Sequence, residues 1–305
     1  MICSNKDGHN ELDTTLFTSE SRSSGPTLVF LPGLGGTTRY WQGRVDVLER
    51  DHHLLFVDVL GFGQSPKPWI RYTVEEHVSA LHHTLNQQAP FTLVGHSMGA
   101  ILAVAYAARY PRQVERLVLF SLPYYGGSGQ AYQYFQNSPL LERYFFGNMA
   151  MATIACVTTR RVLGWFLPYL LPNMPRDIVE DLLRHTWRSF TSSLWEVIYN
   201  YDLTVDADHL DNHLSVYCVH GDQDQTAPLE GVRQLAMGRP NWTVQVLPGV
   251  DHHPLLRVPK VSLQAIERGL FQKQGRVPSM DEHLRSMLIP VESSGGIRES
   301  LASDA

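Results

Sequence analysis

Phe91-Thr92-Leu93-Val94-Gly95-His96-Ser97-Met98-Gly99-Ala100, running on into Ile101-Leu102-Ala103-Val104-Ala105-Tyr106-Ala107-Ala108, decides the fold of this chain. A short apolar run with the length of a buried strand reaches Gly95, and an Ala-rich run of helical character begins right after Ser97. Ser97 therefore sits on the corner between them. A strained strand-to-helix turn, with helix and strand in close approach, leaves no room for side chains at Gly95 and Gly99. The corner turns the serine hydroxyl outward at a helix N-terminus, where backbone donors and the helix dipole favour developing negative charge. That is a position suited to a nucleophile.

Upstream, Thr27 to Leu31 is a five-residue apolar run that stops at Pro32-Gly33, as a buried strand ending in a turn does. Gly33, Gly35 and Gly36 make a backbone-exposing loop, and Val45, Val47 and Leu48 suggest a short helix behind it. Leu54 to Val59 is the next strand, followed by Gly61-Phe62-Gly63-Gln64-Ser65-Pro66. Val74, Val78, Leu81 and Leu85 then share one helical face, with Thr73 and Glu76 placed as a capping box. Val114 to Phe120 is a further strand. Strands alternating with helices, the strands continuously apolar, imply a parallel sheet covered on both faces.

At Ser121 the rhythm breaks. Residues 122–206 offer helical patterns (Ile178, Val179, Leu182, Leu183; then Leu194, Val197, Ile198, Tyr201) and many aromatics, but no convincing buried strand. This reads as a helical cap inserted between two strands. Alternation returns with a strand at Leu214 to Val219, a helix near Leu229 to Met237, a strand at Thr243 to Leu247 and a closing helix at Pro259 to Leu270. The expected organisation is a leading segment at 1–25, a core of 26–121 and 207–271, the cap at 122–206, and a polar, disordered tail at 272–305.

Composition narrows the function classes. A chain of 305 residues, 43% hydrophobic, is long enough for one large α/β domain with an insertion. Lys+Arg total 25 against Asp+Glu 30, a net of -5, and no basic cluster is present to track a phosphate backbone, so nucleic acid is not an expected partner. Cys3, Cys156 and Cys218 lack both disulfide-framework and metal-ligand spacing, and no metal or cofactor is expected. The polar N-terminus has no secretory core. The apolar stretch from Tyr144 to Leu171 is split by Arg160 and Arg161, so stable membrane insertion is not expected and a cytoplasmic location is.

A serine hydroxyl is a poor nucleophile at neutral pH and needs a base, itself held by an acid. In a parallel sheet both must follow strands, because ligands bind at the strands' carboxyl ends. His252, in the loop after the last strand, is the best base, with His253 the competitor. Asp224 is the best acid and Asp222 the runner-up. His96, beside the serine, points elsewhere and reads as a packing histidine. Oxyanion donors are available in the N–H groups of Met98, just after the nucleophile, and Leu34, in the Gly-rich loop. That loop lacks the residues of a phosphate or dinucleotide site.

Together these residues resemble the α/β-hydrolase superfamily over about Thr27 to Leu270. The likeness rests on Pro32-Gly33-Leu34-Gly35-Gly36, on Asp58 to Ser65, on Gly95-His96-Ser97-Met98-Gly99, on Gly221 to Asp224 to Pro228, and on the His252 loop. The resemblance selects Asp224 over Asp222 and His252 over His253. It implies a mostly parallel, doubly wound sheet with a helical cap, and a cofactor-independent serine hydrolase acting on an ester-like bond; the aromatic-rich cap predicts a small apolar or aromatic acyl substrate enclosed away from bulk water. It also covers carbon-carbon bond hydrolases and acyltransferases, and a non-hydrolytic cyclase or lyase and a ligand-binding protein are the rivals of other classes. Two positions depart from the family pattern. Pro32 stands where a loop-bracing histidine is usual, and Asp251 replaces the glycine before the base, a carboxylate placed to strengthen the base or to draw it into an alternative rotamer.

Overall fold

In a computed structural model of the chain, which describes residues 14–88, 90–137, 153–154, 157–158, 174–181 and 183–271, parallel pairing aligns the ends of five strands. Leu31 lies opposite Gly95, His96 opposite Phe120, Phe120 opposite Val219, and Gly221 opposite Leu247. The carboxyl ends of β2 (Thr27–Leu31), β4 (Phe91–His96), β5 (Val114–Phe120), β6 (Ser215–Gly221) and β7 (Trp242–Leu247) thus form one row. Every residue proposed from sequence for chemistry follows one of these ends.

Among the described residues the sheet has seven strands in the order β1-β3-β2-β4-β5-β6-β7. Only β1 (Thr18–Glu20) is antiparallel, pairing with β3 (His53–Val57). The chain leaves β2 for β3 on one side and then returns to β4 on the other. This reversal opens a crevice beyond β2 and β4, where an α/β sheet binds its ligands.

The central strands are mostly apolar because both of their faces are covered; β4 and β6 are buried along their whole length. One face packs on α1 (Val74–Leu85), through Val74, Val78, Leu81 and Leu85, and on the nearly all-apolar α2 (Met98–Arg109). Thr73 caps α1 by accepting the Glu76 N–H at 3.3 Å. On the other face lie Tyr40, Trp41, Val45 and Leu48 with Ala265 and Ile266. The short helix expected near Val45 is wound as tight turns at Thr38–Tyr40 and Asp46–Arg50, which leave Val47 exposed while Val45 and Leu48 are buried.

Between β5 and β6 come α3 (Gln130–Gln136), α4 (Arg176–Asp181), α5 (Trp187–Ser193), and α6 (Leu203–His209). Leu194–Tyr199, expected as ordinary helix, is a π-turn continuing α5, closed by Asn200 N–H donating to Trp195 C=O at 3.1 Å. The wider turn accommodates an extra residue while Leu194, Val197 and Tyr199 all stay buried. Helix α6 runs through residue 206, where the insertion was expected to end, and packs on α2. After β6 follow α7 (Leu229–Ala236), α8 (Pro254–Arg257) and α9 (Pro259–Phe271). Residues 1–13, most of Tyr144 to Leu171, Cys156 and the 272–305 tail lie outside the described residues. Cys218 is free and buried, and among the described residues no helix is long and apolar enough to cross a membrane.

Candidate active site

Ser97 occupies the turn between β4 and α2 with φ 53° and ψ -120°, a strained conformation for a residue with a Cβ. Its own N–H donates to Phe120 C=O at 2.9 Å, and its carbonyl accepts from Ala100 N–H at 2.9 Å. The flanking glycines are sterically required. A Cβ on Gly95 would lie 2.6 Å from the Gly99 carbonyl oxygen, and one on Gly99 would lie 2.5 Å from those of Leu31 and Pro32. Met98 opens α2, so its N–H is among the first four of the helix, which have no partner inside it.

The loops that follow β6 and β7 meet backbone to backbone. A Cβ on Gly221 would lie 2.1 Å from the Val250 carbonyl oxygen, and Gln223 N–H donates to that oxygen at 3.0 Å. This approach brings Asp224 and His252 together. His252 Nδ1 lies 2.8 Å from Asp224 Oδ2, and its Nε2 lies 2.9 Å from Ser97 Oγ. Asp224 Oδ1 accepts the N–H groups of Thr226 and Ala227 at 2.9 and 2.8 Å. Burial pushes the Asp224 carboxyl up, but the His252 charge and hydrogen bond and the Ala227 N–H outweigh it, so it lies below the ordinary carboxylate value and is ionised. Ser97 is 8% exposed and the His252 side chain 12%, which leaves the hydroxyl sheltered yet reachable.

The competing residues have other work. Asp222 accepts the Gly249 N–H at 2.7 Å and so stitches the two loops together. The His253 ring lies beside those of Tyr40 and His96; burial, with the neighbouring His252 charge, pulls its pKa down to about 4. His96 donates from Nε2 to the His252 carbonyl at 2.8 Å and stacks on Tyr40 at 4.5 Å between ring centroids. Burial chiefly, and the surrounding histidines, hold His96 far below the ordinary value, so the ring is neutral. His220 is likewise kept neutral by burial; its Nε2 donates to Ala227 C=O at 2.8 Å and lies 3.4 Å from Asp224 Oδ2. Asp251, which stands beside His252, does not capture its ring. Its carboxylate is taken by Arg257, at 2.8 Å from Nε, and by the His253 N–H at 3.0 Å.

The loop that carries Leu34 lies against the serine turn, with a Cβ on Gly33 reaching 3.0 Å from His96 Nδ1 and 3.1 Å from Ser97 Cβ. With Pro32 in place of a bracing histidine, other residues fix the loop. Gly36 N–H donates to Gly33 C=O at 3.0 Å. Just beyond, Thr38 N–H donates to the buried Asp58 at 2.6 Å, and Thr37 Oγ1 and Arg39 donate to Asp181 of α4 at 2.5 and 2.9 Å. Asp58 also accepts Gln64 N–H at 2.7 Å, with Gly63 so close that a Cβ would fall 2.0 Å from Oδ2. Its place directly after a strand and just before the Gly61-Phe62-Gly63 turn was the available sequence signal for this bracing role. The Leu34 side chain packs against a cluster of Ala131, Phe135, Leu194 and Tyr199.

Residues 26–257 match a family model described as alpha/beta hydrolase fold. The chain belongs to this family. Among relatives of this alpha/beta hydrolase is the probable lysophospholipase BODYGUARD 4 of Arabidopsis thaliana, 26% identical over 279 residues that span 83% of this chain and 66% of the relative. For BODYGUARD 1 of the same plant the shared region is 54% of the relative's length, so the chain spans between half and two thirds of these proteins. Solved structures of similar fold include a thermophilic esterase from Thermogutta terrifontis (TM-score 0.66, 19% identity, covering 84% of this chain and 92% of that one). A bromoperoxidase from Bacillus anthracis gives a TM-score of 0.69 at 19% identity, covering 84% and 95%.

Proposed function

We propose that this alpha/beta hydrolase is a serine hydrolase that cleaves an ester-like bond of a small apolar or aromatic acyl substrate, with residues 122–206 as a lid. Ser97 is the nucleophile, His252 the general base and then acid, and Asp224 the orienting acid. The N–H groups of Leu34 and Met98 form the oxyanion hole. The observation that carries the reading is the unbroken chain of contacts from Asp224 through His252 to Ser97 Oγ, at 2.8 and 2.9 Å, on a strained corner at the sheet's switch point.

His252 Nε2 takes the Ser97 proton as Oγ attacks the carbonyl carbon. The tetrahedral oxygen gathers negative charge, which backbone N–H groups meet without reorganising. Collapse expels the leaving alcohol, which receives the proton from His252, and an acyl-Ser97 ester remains. Water, deprotonated by His252, attacks that ester and restores the serine. Asp224 stays ionised throughout, holding the ring in the Nδ1–H tautomer and stabilising the transient imidazolium. The apolar cluster against Leu34 and the probable lysophospholipases among the relatives support an apolar acyl group.

Labelling with a fluorophosphonate tests this. The intact protein is expected to label, and Ser97→Ala to abolish it. Asp224→Asn should slow turnover of p-nitrophenyl esters by up to about 10⁴-fold. An intact protein that does not label favours a non-hydrolytic cyclase, a lyase or a binding protein instead.

A further inference from the structure

Asp224 is followed by a turn, Gln225-Thr226-Ala227, whose three consecutive carbonyls each accept a hydrogen bond from a side chain of another element. Ala227 C=O accepts from His220 Nε2, on β6, at 2.8 Å. Thr226 C=O accepts from Tyr125 OH at 2.6 Å, and Gln225 C=O from Tyr134 OH at 2.8 Å. Tyr125 precedes α3 and Tyr134 lies on it, so two of the three donors belong to the connection between β5 and β6 and not to the strand that carries the acid. The side chains of Gln225 and Thr226 face solvent. The placement of their peptides therefore rests on backbone partners, the two tyrosine hydroxyls among them.

Those peptides matter because Asp224 Oδ1 is held by the N–H groups of Thr226 and Ala227, which leaves Oδ2 directed at His252. A shift in the turn is a shift in the carboxylate. The tyrosines are themselves firmly set. Their ring centroids lie 5.3 Å apart and both pack on the buried Phe135, at 5.7 and 5.4 Å. The segment entering Tyr125 is pressed on α7, where a Cβ on Gly231 would fall 1.8 Å from the Tyr124 carbonyl oxygen. Burial, with the Asp224 charge adding to it, holds the Tyr125 hydroxyl well above its ordinary value, so it remains a donor. Phe135 also belongs to the cluster that receives Leu34.

We propose that Tyr125 and Tyr134 are positioning residues for Asp224: their hydroxyls fix the Gln225 and Thr226 peptides, so that the acid aligns with His252 only while α3 is seated against the acid turn. The proposal rests on the reading of Ser97, His252 and Asp224 as the catalytic residues. It predicts that neither tyrosine touches the substrate and that both act through the acid.

Tyr125→Phe and Tyr134→Phe keep the rings and remove the hydroxyls. Each is expected to lower kcat for a p-nitrophenyl ester by about three- to tenfold, with KM little changed, because one hydrogen bond of ordinary strength is lost from the acid's support. The deciding measurement is epistasis. In an Asp224→Asn background, with the rate of fluorophosphonate labelling as readout, adding both substitutions should cost less than about twofold. In the Ser97→Ala protein, the low-field proton resonance of the His252–Asp224 hydrogen bond should shift or broaden in Tyr125→Phe, a change that loosened packing elsewhere would not produce. Losses that multiply in the Asp224→Asn background, or a resonance that does not move, overturn the proposal. If Ser97→Ala still labels, it is the hydrolase reading that fails, and the two failures are separable.

Discussion

His96 Nε2 stands 2.8 Å from the carbonyl oxygen of His252, so the residue before the proposed nucleophile supports the backbone of the residue proposed as its base. The two are 156 residues apart in sequence. The ring that makes this bond is stacked on Tyr40, whose chain segment follows the Leu34 loop. Three loops therefore meet at one neutral imidazole. His96→Phe keeps an aromatic ring for the stack but removes the donor. It is expected to lower kcat about tenfold and to cost about 1–3 kcal/mol of stability, because a carbonyl is left without its donor. His96→Gln, which retains an N–H donor, should recover part of both. Steady-state kinetics and urea unfolding of the two variants check this, and equal losses in both would show that the ring and not the donor matters.

The carboxylate of Asp251 faces Arg257 and not the adjacent His252 ring, with Arg257 Nη2 at 2.7 Å and Nε at 2.8 Å. Arg257 and the His253 N–H, after the opposing push of burial, hold that carboxyl below its ordinary value. A charge so compensated has little field left for its neighbour. Asp251→Asn should therefore leave kcat within about threefold and the acid limb of the pH–rate profile within about half a unit. Stability should fall by less than about 1 kcal/mol, since the pair is part-exposed. Movement of the limb by a full unit would mean that Asp251 acts on the base after all.

Sequence was most informative where steric demand is absolute. Gly95 and Gly99 announce the serine corner because any side chain there would collide with backbone, and the apolar strands announce a sheet covered on both faces. The aligned strand ends then follow from the parallel pairing. What sequence did not disclose are contacts between distant segments that no local period encodes. Thr37 and Asp181 are 144 residues apart, Tyr125 and Thr226 are 101 apart, and neither pair leaves a motif. The π-turn at Leu194–Tyr199 was hidden for a related reason, since its apolar spacing also suits an ordinary helix and only the Asn200–Trp195 bond distinguishes them.

Asp181 is another point at which a helix between β5 and β6 meets the segment that follows the Leu34 loop. Its side chain is 1% exposed, accepts from Thr37 Oγ1 and Arg39, and pairs with Arg184. Thr37 follows directly on Gly36, so the carboxylate fixes the end of the loop that offers the Leu34 N–H. Asp181→Ala would leave Arg39 and Thr37 without that partner. Arg39 is about a third exposed and can turn to water, so the stability loss should be about 2 kcal/mol rather than the larger value for a fully buried pair. In kinetics, kcat/KM should fall about tenfold while fluorophosphonate labelling persists more slowly. Protease cleavage near α4 should speed up, and unchanged kinetics with unchanged cleavage would remove any role for Asp181 in holding the loop.

His77 gives the molecule an acid sensitivity that is separate from the candidate site. It is buried between α1 and the end of α5, with Nε2 3.1 Å from Ser193 Oγ, and burial lowers its pKa to about 3. In the unfolded chain the ring titrates near 6.5, so between that pH and about 3 the unfolded state binds a proton that the folded state refuses. Stability therefore falls as pH drops through this window, by about 1.4 kcal/mol per pH unit for this ring. His253, lowered to about 4, adds in the same direction down to that pH. Asp224 acts elsewhere on the scale: its depressed carboxyl contributes stability that is present above the unfolded carboxylate value near 4 and is lost as pH falls through its folded value. The interval from 6.5 to 5 thus belongs to the histidines. His77→Gln should reduce the stability difference between pH 6.5 and pH 5 by about 2 kcal/mol, read by urea unfolding at the two pH values. It should do so with kcat at pH 7.5 within about twofold of the parent. An undiminished difference would mean that His77 takes up its proton in the folded state, and that the contact with Ser193 is rebuilt around a charged ring.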